Sequence, residues 1–176
     1  MEIILFGNQK DKLLTKILLH SLKNQLPFTY CSGDTFYSSP KSELFILETD
    51  RLKALHTSNC LVVLKNKANL NYLPSFSETI PCLIDSQNSK QLEAISKLGL
   101  SAITCGMFEK DTLTFSSMGE DNSVVSIQRQ IIFNNTVFDP MEIPVRHQKG
   151  TDPFALLTSA FVTLMCNGDF TEISIL

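Results

Sequence analysis

The sequence predicts an α/β fold, with a mostly parallel sheet flanked by helices and an added antiparallel β-meander. Three observations predict it. Short continuous apolar runs at Ile3–Phe6, Leu44–Leu47 and Cys60–Leu64 read as strands buried on both faces, the mark of a parallel sheet. Helix-period segments or short crossovers separate such runs through about residue 106. Beyond that point the apolar period changes to two, in segments parted by turn residues, as in a meander with one wet face.

The elements follow in order. Gly7 ends the first strand. Leu13, Leu14, Ile17, Leu18 and Leu22 fall three or four apart and predict an amphipathic helix from about Lys10 to Asn24, stopped by Pro27. Phe28–Cys31 reads as a second strand, and Ser32-Gly33-Asp34 and Ser38-Ser39-Pro40 as loops. Leu44–Leu47 ends at Glu48. A single helical turn is expected around Leu52–His56, then the strand Cys60–Leu64. Ile80–Ile84 is a further strand. Gln87–Leu98 is a helix with Leu92, Ile95 and Leu98 on one face and Gly99 as its stop. Ala102–Cys105 is one more strand. Thr112–Met118 and Ser123–Ile131 alternate about a turn at Gly119–Asn122. A second turn, Asn134-Asn135, precedes a strand from Val137 to Val145, which Pro140 and Pro144 place at a sheet edge. Asp152 then reads as the N-cap of a last helix, with Pro153 at its first position and Asn167-Gly168 closing it.

The length of 176 residues fits a single domain, 1–176, with one core. At 43% hydrophobic the chain has enough apolar residues for a globular interior. Its 15 Lys and Arg are scattered and the net charge is −3, so no nucleic-acid footprint is present. No apolar run approaches the roughly 20 residues needed to span a bilayer, and no membrane partner is expected. The first residues lack the basic start of a signal peptide, so the expected location is cytoplasmic. The five cysteines form no CxxC pair, and four sit inside strand-like runs, where a free thiol behaves as a small buried hydrophobe.

Three stretches carry a family resemblance. The first is Ile3-Ile4-Leu5-Phe6-Gly7-Asn8-Gln9-Lys10-Asp11-Lys12-Leu13-Leu14. The second is Leu44–Thr49 followed by Cys60–Asn66. The third runs from Ala102–Gly106 through the meander to Ile143-Pro144-Val145-Arg146-His147. Their order resembles the central ATP-binding domain of the Mur ligases and their folylpolyglutamate synthase relatives. Those enzymes join an amino acid or peptide to a carboxylate through an acyl phosphate, the Mur ligases in bacterial cell-wall synthesis. The first stretch sits where the family has its glycine-rich loop, and the second where it has a strand ending in Glu and a strand ending in Thr-Asn. The third sits where it has a Pro-Gly-x-His-Asn signature before a helix. The family's flanking domains find no counterpart in these residues. What the resemblance implies as cofactors is ATP and Mg²⁺; the residues themselves assign none.

The candidate sites are depleted. A working phosphate loop needs glycines, a Lys for the β/γ-phosphates and a hydroxyl for Mg²⁺. Only Gly7 survives of the family's loop. In the family's register Lys10 takes the place of the second glycine, Asp11 that of the lysine and Lys12 that of the hydroxyl. Gly7, Asn8, Lys10, Lys12, Asn66 and His147 are the candidate nucleotide-binding residues, and Glu48 the candidate metal ligand. The plainer reading of the loop is an ordinary strand–turn–helix with solvated lysines. A lone Glu at a strand end is more often solvated or capping. His147 either contacts a ligand or caps the last helix, with Gln148 where the family has Asn and Val145 where it has Gly. No catalytic residue is assigned, and no metal-spaced His/Cys cluster or Ser/His/Asp order stands out.

Two functional expectations follow. One is a catalytically degenerate Mur-ligase-like domain acting as a binding or assembly module, as a homo-oligomer or with a protein partner. The apolar Ile173-Ser174-Ile175-Leu176 would then add an edge strand within the fold or to a partner. The other is a small nucleotide-binding enzyme or sensor with a remodelled site around Gly7, Lys10, Lys12, Glu48 and His147. An unrelated α/β domain with no nucleotide history is the plainest alternative.

Overall fold

Strands free of charge along their length need cover on both faces, and the chain is built to supply it. The computed structural model describes residues 1–23, 25–167 and 173–175. They form two compact units. One comprises Met1–Lys12 and Pro27–Ile103, the other Leu13–Leu26 and Thr104–Leu176.

The first unit carries β1 (Glu2–Phe6), β2 (Phe28–Ser32), β3 (Thr35–Ser38), β4 (Leu44–Thr49), β5 (Cys60–Leu64), β6 (Cys82–Asp85) and the helix α2 (Ser89–Leu98). Its strands lie in the order β6-β5-β1-β4-β2-β3. β1 is central and pairs in parallel with β4 and with β5. β2 is parallel to β4, and β5 to β6. Only β3, at the edge, runs antiparallel. All five residues of β5 are buried, as a doubly covered strand requires. Ile4, Phe6, Val62, Leu64, Ile84 and Ile95 form one core, onto which Leu52, Leu55 and Phe76 pack.

The second unit carries α1 (Leu13–Lys23), β8 (Leu113–Met118), β9 (Asn122–Ile127), β10 (Ile131–Phe133), β11 (Thr136–Phe138), β12 (Met141–His147), α3 (Pro153–Asn167) and β13 (Ile173–Ile175). The unit boundary falls inside β7 (Ala102–Cys105), which meets β8 in parallel through Cys105 and Leu113. Here β8-β9-β12 is the meander, with β13 beside β12. α1 buries Leu14, Leu18 and Leu22 and packs on α3. Every residue of α3 from Phe154 to Leu164 is buried, Thr158, Ser159 and Thr163 included, so this helix is covered on all sides. The expected α/β class, mostly parallel sheet, helices and added meander are all present.

Several local expectations need correction. α1 starts at Leu13, not Lys10, because Asn8 folds residues 8–11 into a turn: its side chain accepts from Lys10 N at 2.9 Å and its carbonyl from Asp11 N at 3.0 Å. Asn24 and Gly168 lie outside the described residues. Thr35–Ser38 is a strand hidden between two loop signals; Gly33, at φ 50°, makes the turn that returns it onto β2. Residues 52–56 form no helical turn. Leu52 and Leu55 instead reach separately for the core. β6 begins at Cys82, just past Pro81.

α2 (Ser89–Leu98) buries Gln91 and Ile95 while Leu92 is exposed. Gln91 displaces it inward because three hydrogen bonds await its amide. Asn88 caps this helix, and Gly99, at φ 65°, closes it. The stretch Ser123–Ile131 is two strands, and Val137–Val145 breaks at Asp139-Pro140 into β11 and β12. Asn134 and Asn135, both at positive φ, close the β10–β11 hairpin. β12 is not an edge strand, since β13 runs parallel beside it. That pairing covers only Val145–His147, so Pro144 has no β13 residue opposite.

Asp152 caps α3 as its sequence position implies, accepting from Ala155 N at 2.8 Å. Replacing Asp152 with Ala is expected to lower unfolding free energy by about 1 kcal/mol in urea titrations, whereas Asp152→Asn retains most of it.

Candidate functional site

The C-terminal ends of β1, β4 and β5 converge where ligands gather in open parallel sheets. Glu48 sits there, fully buried. A carboxylate taken out of water must find donors, and Lys65, Tyr30, Ser32 and Lys12 donate to Glu48. Its Oε1 accepts from Lys65 Nζ at 2.7 Å. Its Oε2 accepts from Tyr30 Oη at 2.5 Å, from Ser32 Oγ at 2.9 Å, and from the Lys12 ammonium. The strand period explains the set: Tyr30 and Ser32 alternate on one face of β2, and Ser32 is in register with Glu48. Lys12 also donates to Tyr30 Oη and Ser32 Oγ, each at 3.2 Å.

Lys65 is 1% exposed and follows directly on β5. Besides Glu48 it donates to the carbonyls of Asn8, at 2.8 Å, and Asp11. Its stem runs under Gly7. A Cβ on Gly7 would stand 2.8 Å from Lys65 Cβ, and Gly7 has φ 151°, so glycine is demanded by both space and backbone. Three of the loop's amides are used internally as well. Gly7 N donates to the Thr49 carbonyl at 2.9 Å, and the Lys10 and Asp11 amides go to Asn8.

Burial works against the Lys12 charge, yet hydrogen bonds to Glu48 and Tyr30 outweigh it and raise its pKa above the ordinary value. Burial, then the Glu48 carboxylate, likewise raise the Tyr30 phenol. Lys12 is therefore held as an ammonium and Tyr30 as a neutral phenol at the Glu48 carboxylate, which Ser32 and Lys65 also reach.

Of the sequence candidates, Gly7, Asn8, Lys12 and Glu48 come together here. Lys10 is exposed on the loop. Asn66, also exposed, lines a neighbouring polar cavity of about 540 Å³ with Lys67, Asp85, Gln87, Asn88 and Lys90. Gln91 fixes that wall, donating to the carbonyls of Leu64 and Lys65 and accepting from Asp85 N. His147 belongs to the second unit. It is buried at the end of β12, its Nδ1 donating to the Gln148 carbonyl at 3.0 Å, so its Nε2 accepts from Ser123 Oγ at 2.8 Å. His20 and His56 are exposed.

Lys65, Tyr30 and Ser32 were not singled out from sequence. The available signal was a lysine ending a wholly apolar run, at the position where the resembling family has Thr. Glu48 is neither solvated nor capping, and Lys12, with its side chain 37% exposed, is tied to it.

The residues do not fit a divalent cation or a phosphate. A cation on Glu48 would meet two ammoniums, and a phosphate in the loop would meet two carbonyl oxygens turned inward toward Lys65. Among the described residues no group of three or more His, Cys, Asp or Glu is placed to hold a metal ion. No described helix is long and apolar enough to cross a membrane.

Comparison with known proteins places the fold. The chain is similar to the MurF ligase from Thermotoga maritima in complex with ADP, at TM-score 0.51 and 9% identity over 98% of this chain and 47% of that one. It is also similar to MurF from Acinetobacter baumannii, at TM-score 0.50 and 9% identity over 96% of this chain and 43% of that one. A second structure from that organism, UDP-N-acetylmuramoylalanyl-D-glutamyl-2,6-diaminopimelate--D-alanyl-D-alanyl ligase, gives TM-score 0.50 and 8% identity, over 93% and 43%. The chain thus spans less than half the length of these ligases and shares their α/β fold. No family model matches it. No curated protein matches it in sequence.

Removing Glu48 would leave Lys65 buried without its carboxylate. Glu48→Leu is expected to cost about 3–5 kcal/mol of stability. The double variant Glu48→Leu/Lys65→Met should cost less than the sum of the singles, as a denaturation double-mutant cycle will read. Lys12 and Tyr30 both hold their protons more tightly folded than unfolded. Their contribution is complete below their ordinary pKa values of 10.5 and 10.0 and is lost as pH rises through the raised folded values. A melting series from pH 8 to 11 should fall less steeply for Lys12→Met than for the parent.

Proposed function

We propose that this chain is a Mur-ligase-like domain that has abandoned nucleotide chemistry and serves as a binding or assembly module. One observation carries the reading: the ammonium of Lys65 sits inside the loop that follows β1, bound to two loop carbonyls and to Glu48. A phosphate-binding loop works by turning its N–H groups toward the anion. This loop turns carbonyls inward and holds a cation that belongs to the chain itself. Its carboxylate is already saturated by Lys12, Lys65, Tyr30 and Ser32. Transition-state charge in phosphoryl transfer is stabilised by Mg²⁺ and by donors free to meet it, whereas here the carboxylate that could hold the ion and the ammoniums of Lys12 and Lys65 are bound to each other.

A second reading has its own observation. The cavity beside Asn66 lies beyond β5 and β6, offers Lys67 and Lys90, and would suit a small polar ligand in a sensor or enzyme.

Isothermal titration with ATP, ADP and UDP-sugars, each with and without Mg²⁺, separates the two. The module reading expects no binding heat with any of them. Mg²⁺-dependent ATP binding that is lost in Glu48→Gln would overturn it. Binding lost instead in Asn66→Ala would favour the sensor.

A further inference from the structure

Beyond β5 and β6 lies open ground that the Glu48 cluster does not use. The cavity of about 540 Å³ beside Asn66 shares Lys67, Ala68, Leu70 and Lys90 with a second cavity of about 670 Å³. The two adjoin along α2 and make one groove, inside the first unit throughout. Bonds within the chain fix its sides. Asn88 caps α2, and its Nδ2 donates to the Asn66 carbonyl at 3.2 Å, joining the start of α2 to the loop after β5. Gln91, 1% exposed, ties α2 to the carbonyls of Leu64 and Lys65. Asn69 caps the 3₁₀ turn Leu70–Tyr72, whose Leu70 and Asn71 line the second cavity.

The two ends of the groove differ in kind. Asn66, Gln87, Asn88 and Ser89 line the first cavity, and Leu73, Ala94 and Leu98 the second. Three lysines, Lys67, Lys90 and Lys97, stand against two carboxylates, Asp85 and Glu93. Among the described residues none of these lysines has an ion-pair or hydrogen-bond partner. Asp85 Oδ1, by contrast, accepts from the Gln87 amide at 2.9 Å. Lys67 and Lys90 are the lysines that both cavities share. Lys90 stands in the first turn of α2, which carries no acidic residue. A cation there opposes the helix dipole, so the stability of the helix does not account for its place. Between Asp85 and Gln87, the buried Ser86 Oγ has no hydrogen-bond partner among the described residues. A buried hydroxyl in that position calls for a polar atom that the chain does not supply.

We propose, on the footing of the second reading above, that this groove binds a small amphipathic anion. Lys67 and Lys90 hold its charged head, and its apolar body lies along Leu70, Leu73, Ala94 and Leu98. Charge decides the head, since two unpaired ammoniums where the cavities join attract an anion. The lining decides the body, since an inorganic anion alone would leave the apolar end unfilled. Nothing is asked of the loop after β1, whose own lysine already occupies it.

Isothermal titration of the full chain with hexyl phosphate, hexanoate, inorganic phosphate, acetate and hexanol tests this. At least one hexyl anion is expected to bind about tenfold or more tightly than its short counterpart, phosphate or acetate, because buried methylenes add to binding. Hexanol should give no heat. The tighter of the two hexyl anions assigns the head as phosphate or carboxylate. Lys67→Ala/Lys90→Ala should weaken that anion about tenfold or more, at an unchanged melting temperature because both side chains are exposed. Ala94→Gln should bring the hexyl anion down to the level of its short counterpart. The proposal is overturned if neither hexyl anion binds, or if hexanol binds equally well. It is overturned too if Lys67→Ala/Lys90→Ala binds as the parent does, or if Ala94→Gln leaves the advantage of the hexyl chain intact. Titrating ATP into the parent and into Asn66→Ala keeps this ligand class apart from the reading it rests on. ATP binding that is lost in Asn66→Ala, with neither hexyl anion bound, defeats the amphipathic anion and keeps the second reading.

Discussion

A carboxylate with no exposed surface cannot stand alone, and the first unit is organised around that constraint at Glu48. Four donors from three separate stretches meet on it: Lys12 after the loop, Tyr30 and Ser32 on β2, and Lys65 after β5. Each donor locks another feature. Lys65 crosses beneath Gly7, which is why that position tolerates no side chain. Lys65 also holds the loop through the Asn8 and Asp11 carbonyls, and Asn8 in turn ties up the next amides. The late start of α1 is the downstream result. Buried ion pairs contribute little net stability against well-packed apolar groups. What this one does is tie the loop to β4 and β5, through the bonds of Lys65 to Glu48 and to the Asn8 and Asp11 carbonyls.

Under the proposed module reading, likeness of fold and likeness of chemistry part company at this loop. The strand–loop–helix order is a scaffold property, set by apolar runs and by a glycine at the strand end. The direction in which the loop's polar groups point is a local property, set by a few side chains. A tethered ammonium in the loop reverses the electrostatic demand from anion to carbonyl oxygen. It also supplies the positive charge that Glu48 would otherwise draw from solvent or a metal ion. Nothing in the sheet has to change for that exchange.

What was legible in the sequence divides along the same line. The apolar runs of β1, β4 and β5, the cap Asp152 and the stop Gly99 of the last two helices, and the Asn134-Asn135 turn were readable, because each depends on neighbours in the chain. β3 was not, because four residues between two turn signals show too little of a period. The helical turn at Leu52–His56 failed because both leucines answer to a distant core, not to each other. Leu92 was given the buried place of Gln91 because hydrophobicity alone says nothing of waiting carbonyls at Leu64 and Lys65. Glu48 was visible as a candidate from its place at a strand end. Its partners were not, since Lys65 is 17 residues away in sequence and Tyr30 is 18. Polar residues at the ends of apolar strands were the one signal that could have joined them.

The β3 hairpin sets apart the two faces of this part of the sheet. Where a doubly wound sheet would place a helix between β2 and β4, this chain turns at Gly33 and adds a strand. That choice brings Tyr30 and Ser32 under no constraint beyond the buried face, where they serve Glu48. It also leaves Cys31, Leu47 and Phe45 on the opposite face without a cover from their own crossover. The interior-facing Tyr30, Ser32 and Glu48 are thus engaged in one polar cluster, while their outward neighbours on β2 and β4, one residue away, carry unburied apolar area. Period two forces this division, since alternate residues of a strand cannot share a face. The free energy still to be gained in this part of the molecule lies in burying that outer row.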